Sequence, residues 1–323
     1  MSVWPFRIDG FLVAIVTAVF AAALVPQLGT RGGPLHIEFL TAVVVALVFF
    51  LHGAMLPLES LRKGIRNIRL HLVCQGSTYL FFPAVGSVIA FFVKGIPSAI
   101  GLGFFFMSTV SSTISSAVAM TALAGGDVGG ALFNATLSGM LGVVITPIYA
   151  TAMAHTVGVS LSLASAIKAV AIKILLPLAI GQLSRPALLR PLENNRALVH
   201  WFDRGSIVLI VYGAFCESVS AGVWSQQSFG TVGASIALAI LVMLAISLIL
   251  LTLIWAMKLD REAAITAYFC GSQKSLANGL PTAYAIFAGS VSVGLIVMPL
   301  LIYHQIQLAI GAVIARRLAQ RKL

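Results

Sequence analysis

The sequence predicts an all-α membrane protein with ten transmembrane helices, and three observations lead to this fold class. The chain of 323 residues is 59% hydrophobic and only 9% charged, whereas soluble domains carry roughly 25% charged residues. Apolar runs of about twenty residues, the length that crosses a bilayer, recur along the chain, and its mean hydropathy is +1.04. The basic residues collect in alternate loops. Residues 1–323 are therefore predicted to form a single membrane domain.

The ten predicted segments are called spans 1 to 10 in chain order. They cover residues 9–28, 38–56, 71–93, 98–123, 128–153, 166–184, 204–223, 229–257, 262–284 and 290–316. Span 1 also resembles a signal peptide, because Arg7 precedes an apolar run that ends in small residues. A run of about seventeen residues is long for a signal peptide and sufficient for a retained span.

The net charge of +11 is interpreted as membrane topology and not as a nucleic-acid surface. With both termini cytoplasmic, fifteen of the twenty Lys and Arg residues lie in cytoplasmic loops, and only Arg31 and Lys94 lie outside. The other three, Lys168, Lys173 and Lys274, fall within spans. This bias predicts a multi-pass protein of the inner membrane, surrounded by lipid and without a nucleic-acid partner. The sequence does not predict its oligomeric state.

Two connections have an unusual composition. In residues 58–70, Leu61, Ile65 and Ile68 recur at helical spacing opposite basic residues, which is typical either of an amphipathic cytoplasmic helix at the inner leaflet or of a solvated basic loop. Residues 185–204 contain two prolines and two adjacent asparagines. We interpret this segment as a hinge between two halves of the chain.

Spans 4 and 9 are interrupted by polar residues. Seven Ser and Thr residues lie between positions 108 and 116, and the segment 271–278 reads Gly-Ser-Gln-Lys-Ser-Leu-Ala-Asn. Backbone groups freed within lipid must find partners inside the protein or in a water-filled cavity. Ten spans divide into two five-span repeats, and an odd-numbered repeat inserted twice has inverted orientation. We therefore predict two inverted repeats in which discontinuous spans 4 and 9 cross at the membrane midplane.

Such a crossing predicts a secondary transporter that works by alternating access on a small organic, anionic solute. Helix N-termini favour anions, while unwound carbonyls and hydroxyls suit Na⁺. The alternative is that the small residues only allow close helix packing. The candidate substrate-binding residues are Ser112, Thr113, Ser115, Ser116, Asn134, Lys274, Ser275 and Asn278. Without metal-ligand spacing or a phosphate loop, we predict no enzyme; a Ser-Lys hydrolase and a non-transporting regulator of cation homeostasis remain alternatives.

Lys274 is the most informative of these residues. An ammonium at mid-membrane costs at least about 2.5–3.5 kcal/mol and marks a functional site by default. Its partner could be the carboxylate of Glu217, the carbonyl ends of the half-helices, or a bound anion. His304, which interrupts span 10, is interpreted either as a proton relay or as a buried histidine with satisfied hydrogen bonds.

Several motifs together resemble a known family. They are Gly-Gly-Pro34, Phe-Phe-Leu-His-Gly53, Phe-Phe-Pro-Ala84, Thr-Ile-Ser-Ser-Ala-Val118, Gly-Ser-Gln-Lys-Ser275 and Pro-Leu-Leu-Ile-Tyr-His304. The set resembles the bile acid:sodium symporter family, solute carrier family ten, and is most similar to its divergent seventh-member branch. The motifs extend along nearly the whole chain.

This resemblance implies a division of the spans and a coupling ion. A panel would comprise residues 1–57 and 166–223, a core would comprise residues 71–154 and 229–317, and substrate would bind between them. Na⁺ is the only cofactor that it implies. The implied ion-binding residues are Gln75, Ser115, Ser116, Asn134, Cys270, Ser272 and Gln273.

The chain departs from the family pattern at the implied sodium site. Phe269 stands where the family has a sodium-coordinating glutamate, and Lys274 stands where it has an asparagine. An oxygen cage without its one anion attracts Na⁺ weakly, and a nearby ammonium repels the ion further. We therefore expect Lys274 to act as a tethered cation in the place of sodium. Transport would then be uncoupled or coupled to protons.

Overall fold

The computed structural model describes residues 10–55, 67–156, 168, 171–287, 290 and 292–320. Within them the helices are numbered in chain order: α1 (Gly10–Leu24), α2 (Ile37–Met55), α3 (Ile68–Phe92), α4 (Ser98–Thr109), α5 (Ser115–Ala124), α6 (Val128–Thr156), α7 (Ala171–Asn194), α8 (Arg196–Ser220), α9 (Phe229–Ala256), α10 (Arg261–Ser272), α11 (Leu276–Phe287) and α12 (Val293–Gln320). Two short 3₁₀ turns lie at Pro26–Leu28 and Trp224–Gln226. The all-α class is confirmed.

Most of the helices have the length and composition of membrane spans. In the described part of the chain, seven helices are long and apolar enough to cross a bilayer: α2, α3, α6, α7, α8, α9 and α12. Helices α1, α4 and α5 are shorter apolar segments. Spans 4 and 9 are each divided into two helices, with non-helical backbone at 110–114 and 273–275. These two interruptions are called the span 4 break and the span 9 break below.

One prediction about a connection is wrong, and another falls mostly outside the described residues. The hinge predicted at 185–204 is wrong: α7 continues to Asn194, α8 begins at Arg196, and only Asn195 separates them. Pro186 and Pro191 lie inside α7, because a proline removes one intrahelical hydrogen bond without forbidding the helix. The linker predicted at 58–70 lies outside the described residues up to position 66, and its last residues already belong to α3.

Helix α3 contains a turn of π-helix at Ser77–Phe81. In this register the amide of Phe82 donates to the carbonyl of Ser77, and the next acceptor, the carbonyl of Thr78, faces the position of Pro83. Proline has no amide hydrogen. The Thr78 carbonyl is therefore left without a helical donor in the interior of the protein, where it needs another one.

The helices form two groups. Helices α1, α2, α7 and α8 pack mainly on one another, and α3–α6 and α9–α12 pack on one another. Glycines bring the backbones of α2 and α7 together, since a Cβ at Gly53 would collide with the carbonyl of Leu178 and one at Gly181 with that of Phe50. The groups touch mainly through α8, where Ser218 Oγ accepts the amide of Gly294 at 2.9 Å.

Candidate transport site

The two breaks lie directly against each other. The amide of Ser275 donates to the carbonyl of Ser111 at 2.8 Å, and Ser112 Oγ donates to the carbonyl of Cys270 at 2.7 Å. Asn278 Nδ2 also donates to Ser111 Oγ at 2.9 Å. Peptide groups freed by one break are thus satisfied by the other, which is how non-helical backbone is tolerated at membrane depth.

Neighbouring helices supply the remaining partners of the span 4 break. Ser138 Oγ of α6 accepts the amide of Ser112 at 2.9 Å, and the hydroxyl of Tyr79 donates to the carbonyl of Ser138. Thr146 Oγ1 donates to the carbonyl of Thr109 at 2.7 Å, which satisfies a carbonyl at the end of α4. Side chains of α6 therefore bind the amide of Ser112 in the break and the carbonyl of Thr109 just before it.

Gln307 of α12 holds the span 9 break at two points. Its Oε1 accepts the amide of Lys274 at 2.7 Å, and its Nε2 donates to the carbonyl of Lys274 at 2.8 Å. The hydroxyl of Tyr303 donates to the carbonyl of Ser272 at 2.8 Å. His304 Nδ1 lies 3.0 Å from Gln307 Nε2. The span 10 histidine thus takes part in the same buried hydrogen-bond network.

The side chain of Lys274 ends among backbone carbonyls. Its Nζ donates to Ser108 at 2.7 Å, to Val110 at 2.8 Å and to Thr78 at 3.1 Å, and lies 4.0 Å from the ring centroid of Phe82. The residue is 0% exposed. An ammonium has three donors, and three acceptors surround this one. Two of these carbonyls stand at the C-terminal end of α4, where the helix dipole is negative.

Of the three partners considered for Lys274, the half-helix carbonyls are the ones observed. Glu217 instead pairs with Arg31, whose Nε lies 3.2 Å from the carboxylate. This places Glu217 at the end of α8 beside the predicted external loop.

The other predicted substrate residues divide into two places. Ser112, Ser275 and Asn278 join Lys274 at the crossing, where Ser275 Oγ caps α11 by accepting the amide of Asn278 at 3.2 Å. Thr113 is buried within the span 4 break, and Ser115 is exposed at the start of α5. Ser116 Oγ donates to Gln273 Oε1 at 2.6 Å. Asn134 lies elsewhere.

Asn134 belongs to a polar cluster between α3 and α6. Gln75 Nε2 donates to its carbonyl at 3.0 Å and to its Oδ1 at 3.3 Å, and His71 Nδ1 lies 3.2 Å from the same Oδ1. Gln75 Oε1 and Ser272 Oγ are buried without a hydrogen-bond partner among the described residues. Cys270 Sγ lies 3.7 Å from the carbonyl of Ala131.

The position of the implied sodium-site glutamate is apolar. Phe269 is 0% exposed and packs in a cluster with Ala124, Ile265 and Ala315. The side chain of Met120 borders this cluster, and its Sδ lies 3.0 Å from Gln273 Nε2. An aromatic ring and a thioether thus surround a place where a cation would need oxygen ligands.

A small pocket of about 10 Å³, roughly the space of one water molecule, lies beside the breaks. Phe49 of α2 covers one side, and polar side chains of the opposite helix group line the other, together with two glycines of α6. The lining residues are Phe49, Val110, Ser111, Gly139, Gly142, Val143, Thr146, Asn278, Gly279 and Thr282. Sequence reasoning named Asn278 as a candidate and counted Ser111 within the hydroxyl-rich run, but it missed the others. Ser111 belongs to the hydroxyl-rich run, but nothing in the sequence distinguishes Gly139 from other helix glycines.

Two breaks in contact within a bundle of apolar helices define a multi-pass membrane protein of the transporter class. The chain belongs to the SBF-like CPA transporter family, whose model matches residues 9–320. It is 34% identical over 314 residues to the putative symporter YfeH of Escherichia coli, covering 97% of this chain and 93% of that protein. It is 30% identical over 323 residues to the sodium/bile acid cotransporter 7 of Mus musculus, covering 95% and 92% respectively. The resemblance drawn from the motifs is thereby confirmed.

Proposed function

We propose that this protein is a secondary carrier that moves a small organic anion across the membrane by alternating access. In this proposal the ten spans form two inverted repeats, and the panel (1–57 and 166–223) moves against the core (71–154 and 229–317). The observation that carries the proposal is the contact of the two breaks around Lys274. Interrupting a helix in lipid costs free energy because it frees backbone polar groups. Two interruptions that meet at one point bring these groups together into a polar site.

We propose further that Lys274 replaces a coupling Na⁺, so that transport does not require sodium. Its ammonium is bound by three carbonyls, as a monovalent cation would be. Phe269 supplies no negative charge to attract a second cation. The positive charge of Lys274 also offsets the negative end of the α4 helix dipole. Without this charge, the helix end would repel an anionic solute.

Anion recognition is assigned to the N-terminal turns of α5 and α11. Ile114 occupies the N-cap of α5 and supplies no side-chain acceptor, so the first amides of that helix can serve a ligand. The exposed hydroxyl of Ser115 adds a donor beside them. At α11, Asn278 uses one amide hydrogen for Ser111 and has a second for a solute.

Sodium symport is the second candidate. It is favoured by two buried oxygens of the implied ion-binding residues, Gln75 Oε1 and Ser272 Oγ, which have no partner within the described part of the chain, because buried polar atoms normally have one. The name of the mouse relative also specifies sodium as the coupled ion.

The deciding experiment combines binding and counterflow. Purified protein is screened by thermal shift against organic anions in NaCl and in KCl, since a ligand of the folded state raises apparent stability. An anion that stabilises the protein is then loaded into proteoliposomes for counterflow of its labelled form. Equal counterflow in both salts supports the proposal. Counterflow that depends on NaCl supports symport instead, and binding without counterflow would indicate a non-transporting regulator.

A further inference from the structure

The turn that joins α9 to α10 holds a lysine in an unfavourable backbone conformation. The amide of Leu259 donates to the carbonyl of Ile254 at 3.2 Å. The amide of Lys258 donates to the carbonyl of Trp255 at 3.1 Å. These two bonds form a Schellman motif, which places Lys258 in the left-handed region at a φ of 50°. Glycine usually fills this position, because a Cβ is unfavourable there.

The lysine is not needed to end α9. Glycine would form the same motif with less strain, and a basic residue anywhere in the last turn would balance the helix dipole. Lys258 is exposed, and its ammonium is not among the ion pairs of the described residues. A residue other than glycine that is kept in such a conformation indicates a function of its side chain.

Lys258 lines a groove of about 500 Å³, within the range of roughly 300–1,000 Å³ for ligand sites. Trp255 is 81% exposed and Leu251 is 56% exposed, on a helix long and apolar enough to cross the membrane. Tryptophan concentrates at the membrane–water interface. The groove therefore faces lipid at the predicted cytoplasmic end of span 8. Its other lining residues are Ile254, Ala256 and Leu259.

The surroundings of the groove carry a net positive charge. Arg261 Nη2 donates to the carbonyl of Leu318 at 3.4 Å, which brings the basic end of α12 beside the start of α10. Asp260 is engaged as the cap of α10, because its Oδ1 accepts the amide of Ala263 at 2.9 Å. Basic pockets on the cytoplasmic side attract anionic lipid headgroups. The basic residues at this end are Lys258, Arg261, Arg316 and Arg317, and the acidic ones are Asp260 and Glu262.

We propose that this groove binds an anionic phospholipid of the cytoplasmic leaflet. The lipid phosphate pairs with the ammonium of Lys258, and one acyl chain lies along Leu251, Ile254 and Trp255. The inference goes beyond the carrier function and does not depend on it. A lipid bound here contacts the start of α10, whose other end is the span 9 break.

The test compares Lys258→Gly with His36→Gly. Among the described residues, these are the two positions with positive φ that are not glycine. Both variants should unfold at a higher temperature than the wild-type protein in neutral detergent, because both relieve a left-handed side chain. Only Lys258→Gly removes the cation of the groove. Dioleoyl phosphatidylglycerol and dioleoyl phosphatidylcholine are added to the purified full-length protein, and binding is titrated by native mass spectrometry.

Phosphatidylglycerol should raise the unfolding temperature of the wild-type protein and of His36→Gly equally, and more than phosphatidylcholine does. Lys258→Gly should lose most of this increase and bind phosphatidylglycerol at least about fivefold more weakly, the factor that one cation near an anionic lipid contributes. Lys258→Arg should bind as the wild-type protein does. Arg190→Gln, which removes an exposed cation at the far end of α7, should also leave binding unchanged.

Lys258→Gln keeps the backbone strain and removes the charge, so its weaker binding keeps the test decisive if Lys258→Gly does not fold. Equal stabilisation by the two lipids would overturn the inference, as would unchanged affinity in both charge-removing variants of Lys258. An equal loss of binding in Arg190→Gln would indicate diffuse attraction to the basic surface and refute a site at the groove. Stabilisation by inorganic phosphate to the same extent would identify a free anion, and not a lipid, as the ligand.

Discussion

The contacts of Lys274 make a quantitative prediction for Lys274→Met, a change that keeps an unbranched side chain and removes the ammonium. The carbonyls of Ser108, Val110 and Thr78 would lose their donor in the protein interior. An unsatisfied buried group costs about 1–3 kcal/mol, which gives an upper limit of about 9 kcal/mol for three. Removing the ammonium also removes its desolvation penalty, which offsets part of this and leaves a net loss of about 3–5 kcal/mol, the lower half of the range for three unsatisfied groups. We expect a loss in that range.

The assay is thermal unfolding of the purified protein, with Lys94→Met as the control because Lys94 is exposed. Lys274→Met should unfold at a clearly lower temperature and lose counterflow, whereas Lys94→Met should match the wild-type protein.

Lys274→Asn should also lose transport without gaining a response to sodium, since Phe269 still supplies no anion. The double variant Phe269→Glu/Lys274→Asn should be stabilised by NaCl relative to KCl. Wild-type stability and uptake that already rise with sodium would refute the tethered-cation argument.

Three further predictions follow from other contacts. Gln307→Leu leaves the amide of Lys274 unpaired and its carbonyl with only the contact from His304 Nδ1 at 3.4 Å. It should lower the free energy of unfolding by about 1–6 kcal/mol, measured by denaturant unfolding; a loss below about 1 kcal/mol would contradict the two-point contact. Ser218→Ala removes the acceptor that joins α8 to α12, so it should lower the free energy of unfolding by about 1 kcal/mol. If this contact closes the pocket on the side of Arg31, a cysteine introduced into the pocket wall should also be labelled faster in this variant. Unchanged labelling would argue against closure at that end. Arg31→Gln breaks an ion pair in which the arginine side chain is 54% exposed and that of Glu217 17% exposed. It should change stability by about 1 kcal/mol or less, and a clearly larger loss would mean that the pair behaves as a buried one.

The interruptions of spans 4 and 9 could be predicted because the free-energy cost of a helix there depends on the residues of the segment itself. Polar residues and glycines at 108–116 and 271–278 oppose a continuous lipid-facing helix wherever they fold. Lys274 was identifiable for the same reason, since a single charge in an apolar segment needs a partner. The identity of that partner was not predictable. It depends on a π turn in α3 and on Pro83, which together free one carbonyl nearly two hundred residues earlier in the chain.

The function of Gln307 depends on contacts between distant helices. A glutamine in span 10 is compatible with any interhelical hydrogen bond, and only the fold places it on both peptide groups of Lys274. The hinge predicted at 185–204 failed because proline content was weighed above the helical preference of the flanking residues.

The ammonium of Lys274 also constrains how the molecule can move. It joins α3, the end of α4 and the span 9 break through one nitrogen atom, and Gln307 ties the same residue to α12. Sliding of any of these four segments past the others would strip the charge of its acceptors inside the membrane. A change of access from one side to the other should therefore leave this assembly rigid and displace α1, α2, α7 and α8 around it, so that distance measurements by spin labels would change between the two helix groups and remain constant within the assembly.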